Sequence, residues 1–311
     1  MESLLTEAFL TSLLFGAVTA GVPLLLAGLG EQISEKAGVL NIGIEGMMLF
    51  GAYAGFVATY YSDSFSLGFF FGGVGGMLVA VIVAVLCIRF GLNQIVIGIA
   101  VTIGMEGLTA LLHFFQFSKT YPRLSEAPVF ELPGLSQIPV IGKALFSHNP
   151  IVYLGVVMVG MLTWLFRATF VGLNLEAAGS KPAALDAAGV SVTRTRVAAV
   201  LATGFMAGVG GAYMANVGAG LFVPFMTGGA GFIGIVLAML ARGRPVWVLL
   251  GAALFGISLA MTTALQVAGI NIPTDVVQML PFAMVMLVLV VFARHSVLPP
   301  ALGLPYVRGD R

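Results

Sequence analysis

Residues Val171 to Arg196 read VGLNLEAAGSKPAALDAAGVSVTRTR, a polar insert between two strongly apolar stretches of the chain. Within it, a short helix can begin with Pro182 at its first position and end before Gly189, because proline favours the start of a helix and glycine the position after its end. About seven residues at 1.5 Å each give a helix of roughly 10 Å, far too short to cross a membrane. The insert is therefore predicted to be a docking element for a soluble partner.

The insert has a second arm, which runs from Asn174 to Ala178 and ends at Gly179. The short helix carries mostly alanines, whose small side chains would let it lie in a shallow groove on another protein. Fixed between two membrane spans, such a helix-turn-helix can transmit the movement of a partner to the membrane. An ordinary loop is the alternative interpretation of the same residues.

Most of the chain is too apolar for a soluble domain. Of its 311 residues, 59% are hydrophobic and 9% are charged, whereas soluble domains have about 25% charged residues. Since one crossing takes about 20 apolar residues, the length suits about eight to ten transmembrane helices. The sequence therefore predicts an all-α, polytopic transmembrane bundle of about nine spans, and a single membrane-spanning domain over residues 1–311.

Nine apolar runs are the predicted spans, and the seventh is short enough to be a half-span. They lie at about Ala8–Leu29, Leu40–Tyr61, Leu67–Ile88, Ile95–Phe115, Ile151–Phe166, Val197–Ala215, Gly229–Ala241, Val246–Leu265 and Val276–Phe292. The chain also has 41 glycines, which predict close contacts between helix backbones because glycine is common where membrane helices pack tightly.

The positions of lysine and arginine predict the orientation, because short basic loops stay on the cytoplasmic side. If nine spans alternate, all but three of the 14 basic residues fall on one side, and those three lie in one long loop, residues 116–150. This puts the N-terminus outside, and the C-terminus and segment 171–196 in the cytoplasm. The external loop 116–150 carries five prolines, so it is neither a span nor a continuous helix. It is a connector, a contact surface for an external binding protein, or both.

Two stretches carry a resemblance to a known family. GLNLEAAGSKPAALDAAGVSV, from Gly172, resembles the coupling region of permease subunits of ATP-binding-cassette (ABC) importers, in the branch of ribose and branched-chain amino acid permeases. GEQISEKAGVLNIGIEGMMLFGAYAGF, from Gly30, resembles the signature region of purine-nucleoside permeases that work with a lipoprotein receptor of the basic-membrane-protein type. One departure is Ser180-Lys181, where the family usually has glutamate or asparagine before the proline.

The resemblance implies a multi-pass permease subunit in the bacterial cytoplasmic (inner) membrane. Its expected partners are a cytoplasmic ATP-binding-cassette ATPase, which would bind the ATP and Mg, a second permease chain, with a heterodimer favoured, and an external substrate-binding lipoprotein. The expected cargo is a nucleoside, with purine nucleosides favoured, and ribose-like sugars are the alternative. The residues expected to contact the ATPase are Leu175, Glu176, Ala177, Gly179, Pro182, Ala183, Asp186 and Gly189.

Two polar residues in the second predicted span are candidates for the substrate pathway. Glu45 should face the bundle interior, a partner or water, because a charged residue in a span is unfavourable by about 2.5 to 3.5 kcal/mol. Asn41 lies four residues earlier, which predicts that both side chains share one helical face. Nearby glycines make a broken or tightly packed helix plausible, and interrupted helices often expose polar backbone to substrate. The alternative is that both residues tie this helix to a neighbour.

Three further pathway candidates lie elsewhere. Asn93 begins the fourth predicted span, and Asn216 lies in the glycine-rich stretch GVGGAYMANVGAGLFVP, before a break at Pro224. This stretch is predicted to be a re-entrant or gate element, where Phe222 could stack on a base or ribose. Interhelical hydrogen bonds, at about 0.6 kcal/mol each, and aromatic packing are the alternatives.

Some site classes are excluded. No G-x-x-x-x-G-K-[ST] phosphate-binding loop occurs, so the chain is not predicted to hydrolyse ATP by itself. The three histidines show no ligand spacing, and no catalytic or metal constellation is predicted. A net charge of +1 argues against a nucleic-acid partner. Besides the permease subunit, two hypotheses remain: an ion-driven secondary transporter with Glu45 and Glu106 as proton carriers, and an intramembrane enzyme, which the wide spacing of the acids disfavours.

Overall fold

The computed structural model describes residues 7–267 and 298–307, together with the single positions 279, 283, 286, 287 and 290. The described chain is almost wholly helical. Its α-helices are α1 Glu7–Lys36, α2 Ile44–Ser62, α3 Phe65–Val83, α4 Gln94–Phe117, α5 Ile141–Phe146, α6 Pro150–Ala168, α7 Phe170–Ser180, α8 Pro182–Ala187, α9 Val192–Tyr213, α10 Ala230–Ala241 and α11 Pro245–Val267. Short π-helical segments, Ala84–Arg89 and Met214–Ala219, continue α3 and α9.

Several helices have the length and composition of membrane spans. Within the part of the chain that the structure describes, five are long and apolar enough to cross a membrane: Phe9–Lys36, Phe65–Arg89, Gln94–Phe117, Pro150–Ala168 and Val192–Ala219. Two shorter apolar helices are Ala230–Ala241 and Pro245–Met261. The predicted polytopic helical bundle is therefore confirmed, whereas the count of nine spans stays a prediction. The ninth predicted run, Val276–Phe292, lies outside the continuously described residues.

The first two predicted spans had the wrong boundaries. The apolar run ended at Leu29, but α1 continues to Lys36, because the polar residues that interrupt the run, such as Glu31 and Glu35, are buried in the bundle instead of ending the helix. The chain then turns at Gly38, whose φ of +83° is in the left-handed region that glycine adopts without strain. The second helix begins at Ile44 instead of Leu40.

The core contains three helices whose backbones meet at glycines. Gly72 and Gly76 of α3 face Gly204 and Gly208 of α9, and a Cβ atom added at Gly76 would lie 2.8 Å from the Cα of Gly208. Gly51 of α2 packs against the same Gly208. Glycines four residues apart let membrane helices approach this closely. The predicted close packing of the glycines is confirmed here.

The long loop between α4 and α6 has little regular structure, as predicted. It contains α5 and two strands, β1 Phe130–Glu131 and β2 Ser147–His148, which pair antiparallel. His148 stacks on Phe15 of α1 with ring centroids 4.4 Å apart. The Nε2 atom of His148 lies 2.8 Å from the Ala144 carbonyl, so it carries the proton that is donated. These contacts fasten the end of the loop to the first helix.

The two ends of the bundle differ. The helices α7 and α8 lie where α1 finishes, since the backbone of Gly179 packs against that of Lys36 and Gly38. We call this the α8 end. At the opposite end, α9 finishes near the end of α2, and the non-helical segment 220–229 leads from there back to α10.

Candidate functional site

The polar insert forms the predicted helix-turn-helix. The second arm, α8, has Pro182 at its first position, and the chain leaves it through Gly189 at a φ of +83°. The first arm, α7, is longer than the predicted Asn174–Ala178 and begins at Phe170. It starts early because the Oγ1 atom of Thr169 accepts a hydrogen bond from the Gly172 N–H at 3.1 Å and so caps the helix.

The eight predicted ATPase contacts fall on two faces of the insert. Leu175 and Gly179 are buried against the bundle, and their role in this chain is to seat α7. The other six are exposed or half-exposed. They are Glu176, Ala177, Pro182, Ala183, Asp186 and Gly189. A partner that docks on the insert would meet this second face.

Glu176 has a partner inside the chain that the sequence did not reveal. Its Oε2 atom accepts a hydrogen bond from the Nζ atom of Lys36 at 3.2 Å. The same ammonium group lies 5.0 Å from the ring centroid of Phe166, at the end of α6. Because Glu176 is largely exposed, the pair contributes at most about 1 kcal/mol to stability. The pair connects the end of α1 to α7.

Arg196 joins three separate segments at the α8 end. Its guanidinium donates to the carbonyl oxygens of Ala37 at 3.1 Å, Ala178 at 3.2 Å and Leu304 at 2.7 Å. The side chain is only 3% exposed. Sequence reasoning treated Arg196 only as a marker of the cytoplasmic side. Its position at the start of an apolar helix was the one available signal, since a buried cation requires acceptors.

The C-terminal segment 298–307 completes this junction. The Ala301 N–H donates to the Gly179 carbonyl at 2.9 Å, and the Gly303 N–H donates to the Gly38 carbonyl at 3.1 Å. Tyr306 of the same segment helps to line a cleft of about 340 Å³ between α8 and α9. The cleft is also lined by Asp186, Gly189, Ser191, Val192 and Thr193. The insert is thus held to the bundle through Gly179, and a concave surface lies between α8 and the start of α9.

Glu45 ties α2 to the half-length helix α10. Its two carboxylate oxygens accept hydrogen bonds from the N–H groups of Gly229, at 2.8 Å, and Gly231, at 2.6 Å. These donors belong to the amino end of α10, where N–H groups lack partners within the helix. The Glu45 side chain is 3% exposed. The structure thus shows the interhelical tie that was the alternative to a pathway role.

Asn41 does not share a helical face with Glu45, and that prediction was wrong. Because α2 begins only at Ile44, Asn41 lies in the turn before it, where its carbonyl accepts from the Ile44 N–H at 3.1 Å. Its own N–H donates to Oε1 of Glu31 at 3.1 Å. The Asn41 side chain is fully buried, and its amide nitrogen lies 3.4 Å from the Met47 sulfur.

Of the remaining pathway candidates, Asn93 lies at one end of the bundle, whereas Asn216 and Phe222 both lie near the far half of α2. Asn93 is exposed and caps α4 by accepting from the N–H groups of the two residues after Gln94. Asn216 is buried at the opposite end, where it donates to Thr59 Oγ1 at 2.8 Å. Phe222 is fully buried, with its ring 5.2 Å from that of Tyr53. The five candidates therefore form no single cluster, and contact with substrate stays a prediction for each.

A group of buried polar atoms near the end of α1 was missed. Oε2 of Glu31, both amide atoms of Gln32, Oε2 of Glu35 and Oδ1 of Asn41 have no hydrogen-bond partner among the described residues. The sequence signal was present as four polar residues among the five positions from Glu31 to Glu35, but these residues were taken to mark the end of a span. Within residues 7–267 and 298–307, no three His, Cys, Asp or Glu side chains are placed to share a metal ion.

The chain is similar to several known proteins. Residues 13–289 match the family described as branched-chain amino acid transport system / permease component. The nucleoside ABC transporter permease protein NupC of Lactococcus lactis is 31% identical over 92% of this chain and 93% of its own length. The guanosine ABC transporter permease protein NupQ of Bacillus subtilis is 30% identical over 93% and 94%. The "Putative glucose ABC transporter permease protein TsgC13" of Haloferax volcanii is 39% identical over 80% and 76%.

Proposed function

The chain belongs to the family of permease components of branched-chain amino acid transport systems, and we propose that within an ABC importer it carries nucleosides across the cytoplasmic membrane. The observation that supports this cargo is the similarity to NupC and NupQ, which extends over more than nine-tenths of each chain. Purine nucleosides are favoured because the stretch from Gly30 to Phe56 resembles the signature of purine-nucleoside permeases.

A small sugar is the second candidate cargo. One specific observation favours it, the 39% identity to a relative named for glucose. That similarity covers 76% of the relative, compared with 93% and 94% for the two nucleoside permeases. The more complete match is the reason to place nucleosides first.

The exposed face of α7 and α8 is the proposed docking surface for a cytoplasmic ATPase subunit. The two helices lie at one end of the bundle, where Arg196 donates to the buried Ala178 carbonyl of α7 and Lys36 pairs with the exposed Glu176. These contacts would allow a movement of α7 and α8 to be passed on to the membrane helices. ATP and Mg would be bound by that subunit, because this chain lacks a phosphate-binding loop.

The α8 end is proposed to face the cytoplasm, with the N-terminus outside. Short connections rich in lysine and arginine support this orientation, since they remain cytoplasmic. Arg89 lies in the last turn of the segment Ala84–Arg89 and Arg167 in the last turn of α6, and Lys181 lies between the two arms of the insert. Nine alternating spans would place loop 116–150 outside, where an external binding lipoprotein would deliver the cargo.

The pore is proposed to need a second permease chain. A heterodimer is favoured, because nucleoside systems of the kind that this sequence resembles encode two unequal permeases. In such a pair, closing of the ATPase dimer would draw the two inserts together and switch the spans between outward and inward states. The described chain supplies one insert and one set of spans to that assembly.

Uptake into proteoliposomes tests the proposal. The permease, its second chain and the ATPase are reconstituted together, the external receptor is added, and uptake of guanosine, adenosine, uridine, ribose and glucose is measured with and without ATP inside. We expect nucleoside uptake that requires ATP and the receptor. Uptake of sugars alone would move the cargo to the second candidate. Uptake driven by an ion gradient without the ATPase would contradict the importer class.

A further inference from the structure

The half-length helix α10 is held at its amino end by a carboxylate from another helix. The two N–H groups that Glu45 accepts belong to Gly229 and Gly231, and a Cβ atom added at Gly231 would lie 2.7 Å from the Cα of Glu45. The backbones therefore touch as well as the side chain. A buried carboxylate on the first turn of a helix combines charge-assisted hydrogen bonds with the favourable end of the helix dipole.

The carboxyl end of α10 reaches the α8 end of the bundle. Just after α10, a Cβ atom added at Gly243 would lie 2.8 Å from Cε of Lys36. Lys36 is the residue whose ammonium donates to Glu176 of α7. Between its ends, α10 packs on α1, where Gly234 lies against Ala27. The helix is thus about 18 Å long, and its carboxyl end lies against Lys36, the residue that pairs with the insert.

The segment that precedes α10 has no regular structure. A displacement of α10 would therefore move this segment. Residues 220–229 include Phe225, exposed and at a φ of +65°, followed by Gly228 at +52° and Gly229 at +89°. A residue other than glycine in this conformation persists only where its surroundings hold it. Non-helical backbone within a membrane bundle lies against protein or lines a water-filled cavity. Glu45 holds this segment at the point where it becomes α10.

From this geometry we infer that Glu45 is a positioning residue for transport. Its carboxylate keeps the amino end of α10 attached to α2, so that displacement of the insert, received at Lys36, reaches segment 220–229 through α10. The inference rests on the proposed function, because the displacement is that of an ABC permease driven by its ATPase. It adds to the proposed function a path for this displacement, from Lys36 through α10 to segment 220–229, and it names Glu45 as the residue on which the path depends.

The carboxylate chemistry gives a sharp test. Glu45→Gln keeps the size of the side chain but leaves one acceptor oxygen and turns an amide NH₂ toward an N–H donor, so that one contact is lost. Glu45→Asp keeps the charge with one methylene fewer. Asp63→Asn is the matched control, because it makes the same acid-to-amide change at the exposed far end of α2, where the φ of 54° suits asparagine.

The measurement is the number of cargo molecules taken up per ATP hydrolysed, in proteoliposomes that contain the whole importer. For Glu45→Gln we expect this ratio to fall by at least about tenfold, the lower end of what one lost charge-assisted hydrogen bond would give, while receptor-stimulated ATP hydrolysis continues. Glu45→Asp should give an intermediate ratio, and Asp63→Asn the ratio of the unmodified importer.

Other outcomes would overturn the inference. An unchanged ratio in Glu45→Gln would show that the carboxylate transmits nothing. Loss of the assembled complex in both Glu45 variants would make the residue a stabilising group of the fold alone. These results differ from failure of the proposed function, which would appear in the unmodified protein as uptake that does not need ATP.

Discussion

At the scale of single residues, Arg196 shows how one buried cation can organise the α8 end. Three carbonyl groups accept from its guanidinium, and they come from the end of α1, the end of α7 and the C-terminal segment. Arginine suits this role because its five N–H donors point in fixed directions. Since all three acceptors are backbone oxygens, the identity of their side chains gave no sequence signal. Apart from the position of Arg196 at the start of an apolar helix, no sequence motif therefore predicted this junction.

Replacement of this arginine should loosen the junction measurably. In Arg196→Gln, at least one carbonyl loses its charged donor, which weakens the docking of segment 298–307 by roughly 2 kcal/mol, a factor of about 30 in local opening. Hydrogen exchange should show this loss of protection at the amides of Ala301 and Gly303, which donate to Gly179 and Gly38. The exposed neighbour Arg194 provides the control Arg194→Gln. Equal protection in the two variants would contradict the assigned role.

At the scale of elements, the sequence predicted what is encoded locally. The helix α8 begins at Pro182 and is followed by Gly189 as expected, because the backbone preferences of proline and glycine act within a few residues. The predicted end of α1 was seven residues too early, since burial in the bundle kept polar residues inside the helix. The bond from Glu45 to α10 links positions about 185 residues apart, and a single sequence contains no signal for such a pair.

Packing of α3 on α9 gives a prediction at this scale. Gly76→Ala would place a Cβ atom 2.8 Å from the Cα of Gly208, where only backbone can give way. We expect a loss of about 1 to 3 kcal/mol and a thermal midpoint in detergent lower by about 5 °C. Gly104→Ala is the matched control, since nothing lies within 4 Å of the added atom. A midpoint shift of the same size in both variants would argue against backbone contact between α3 and α9.

The contact between β2 and α1 predicts a dependence on pH. Burial lowers the pKa of His148 from its ordinary value of 6.5, and the hydrogen bond to Ala144 opposes that change only in part. The folded loop therefore binds protons less readily than the unfolded loop. Its contribution to stability is present above about pH 6.5 and is lost as the pH falls through the lowered pKa.

Hydrogen exchange of residues 118–149, corrected for its intrinsic pH dependence, should show loss of protection on acidification below pH 6.5. His148→Phe retains a ring to stack on Phe15 but cannot titrate, so its protection should stay constant over the same range. If the unmodified protein shows no change, or if His148→Phe shows the same change, the histidine is not the titrating group that fastens this loop.

At the scale of the whole molecule, composition predicted the class of protein and the comparisons identified its family. An apolar chain with few charges has few alternatives to a helical membrane bundle. The count of nine crossings stays a prediction, because α10 is too short for a full span and the ninth run lies outside the continuously described residues. At the α8 end, Lys36 and Arg196 fasten the insert to the bundle, and we propose that an ATPase docks on the insert there.

A single engineered cysteine on α8 shows whether the ATPase docks at this end of the bundle. The chain has one cysteine, Cys87, which is buried, so Cys87→Ser leaves a background free of thiols. Ala183→Cys then places one thiol on the exposed face of α8. In the assembled importer, we expect that a short cross-linker with a maleimide at one end and a photoreactive group at the other joins this cysteine to the ATPase, and that impermeant reagents outside the cell do not label it. Labelling from outside, or a cross-link to the external receptor, would contradict the account.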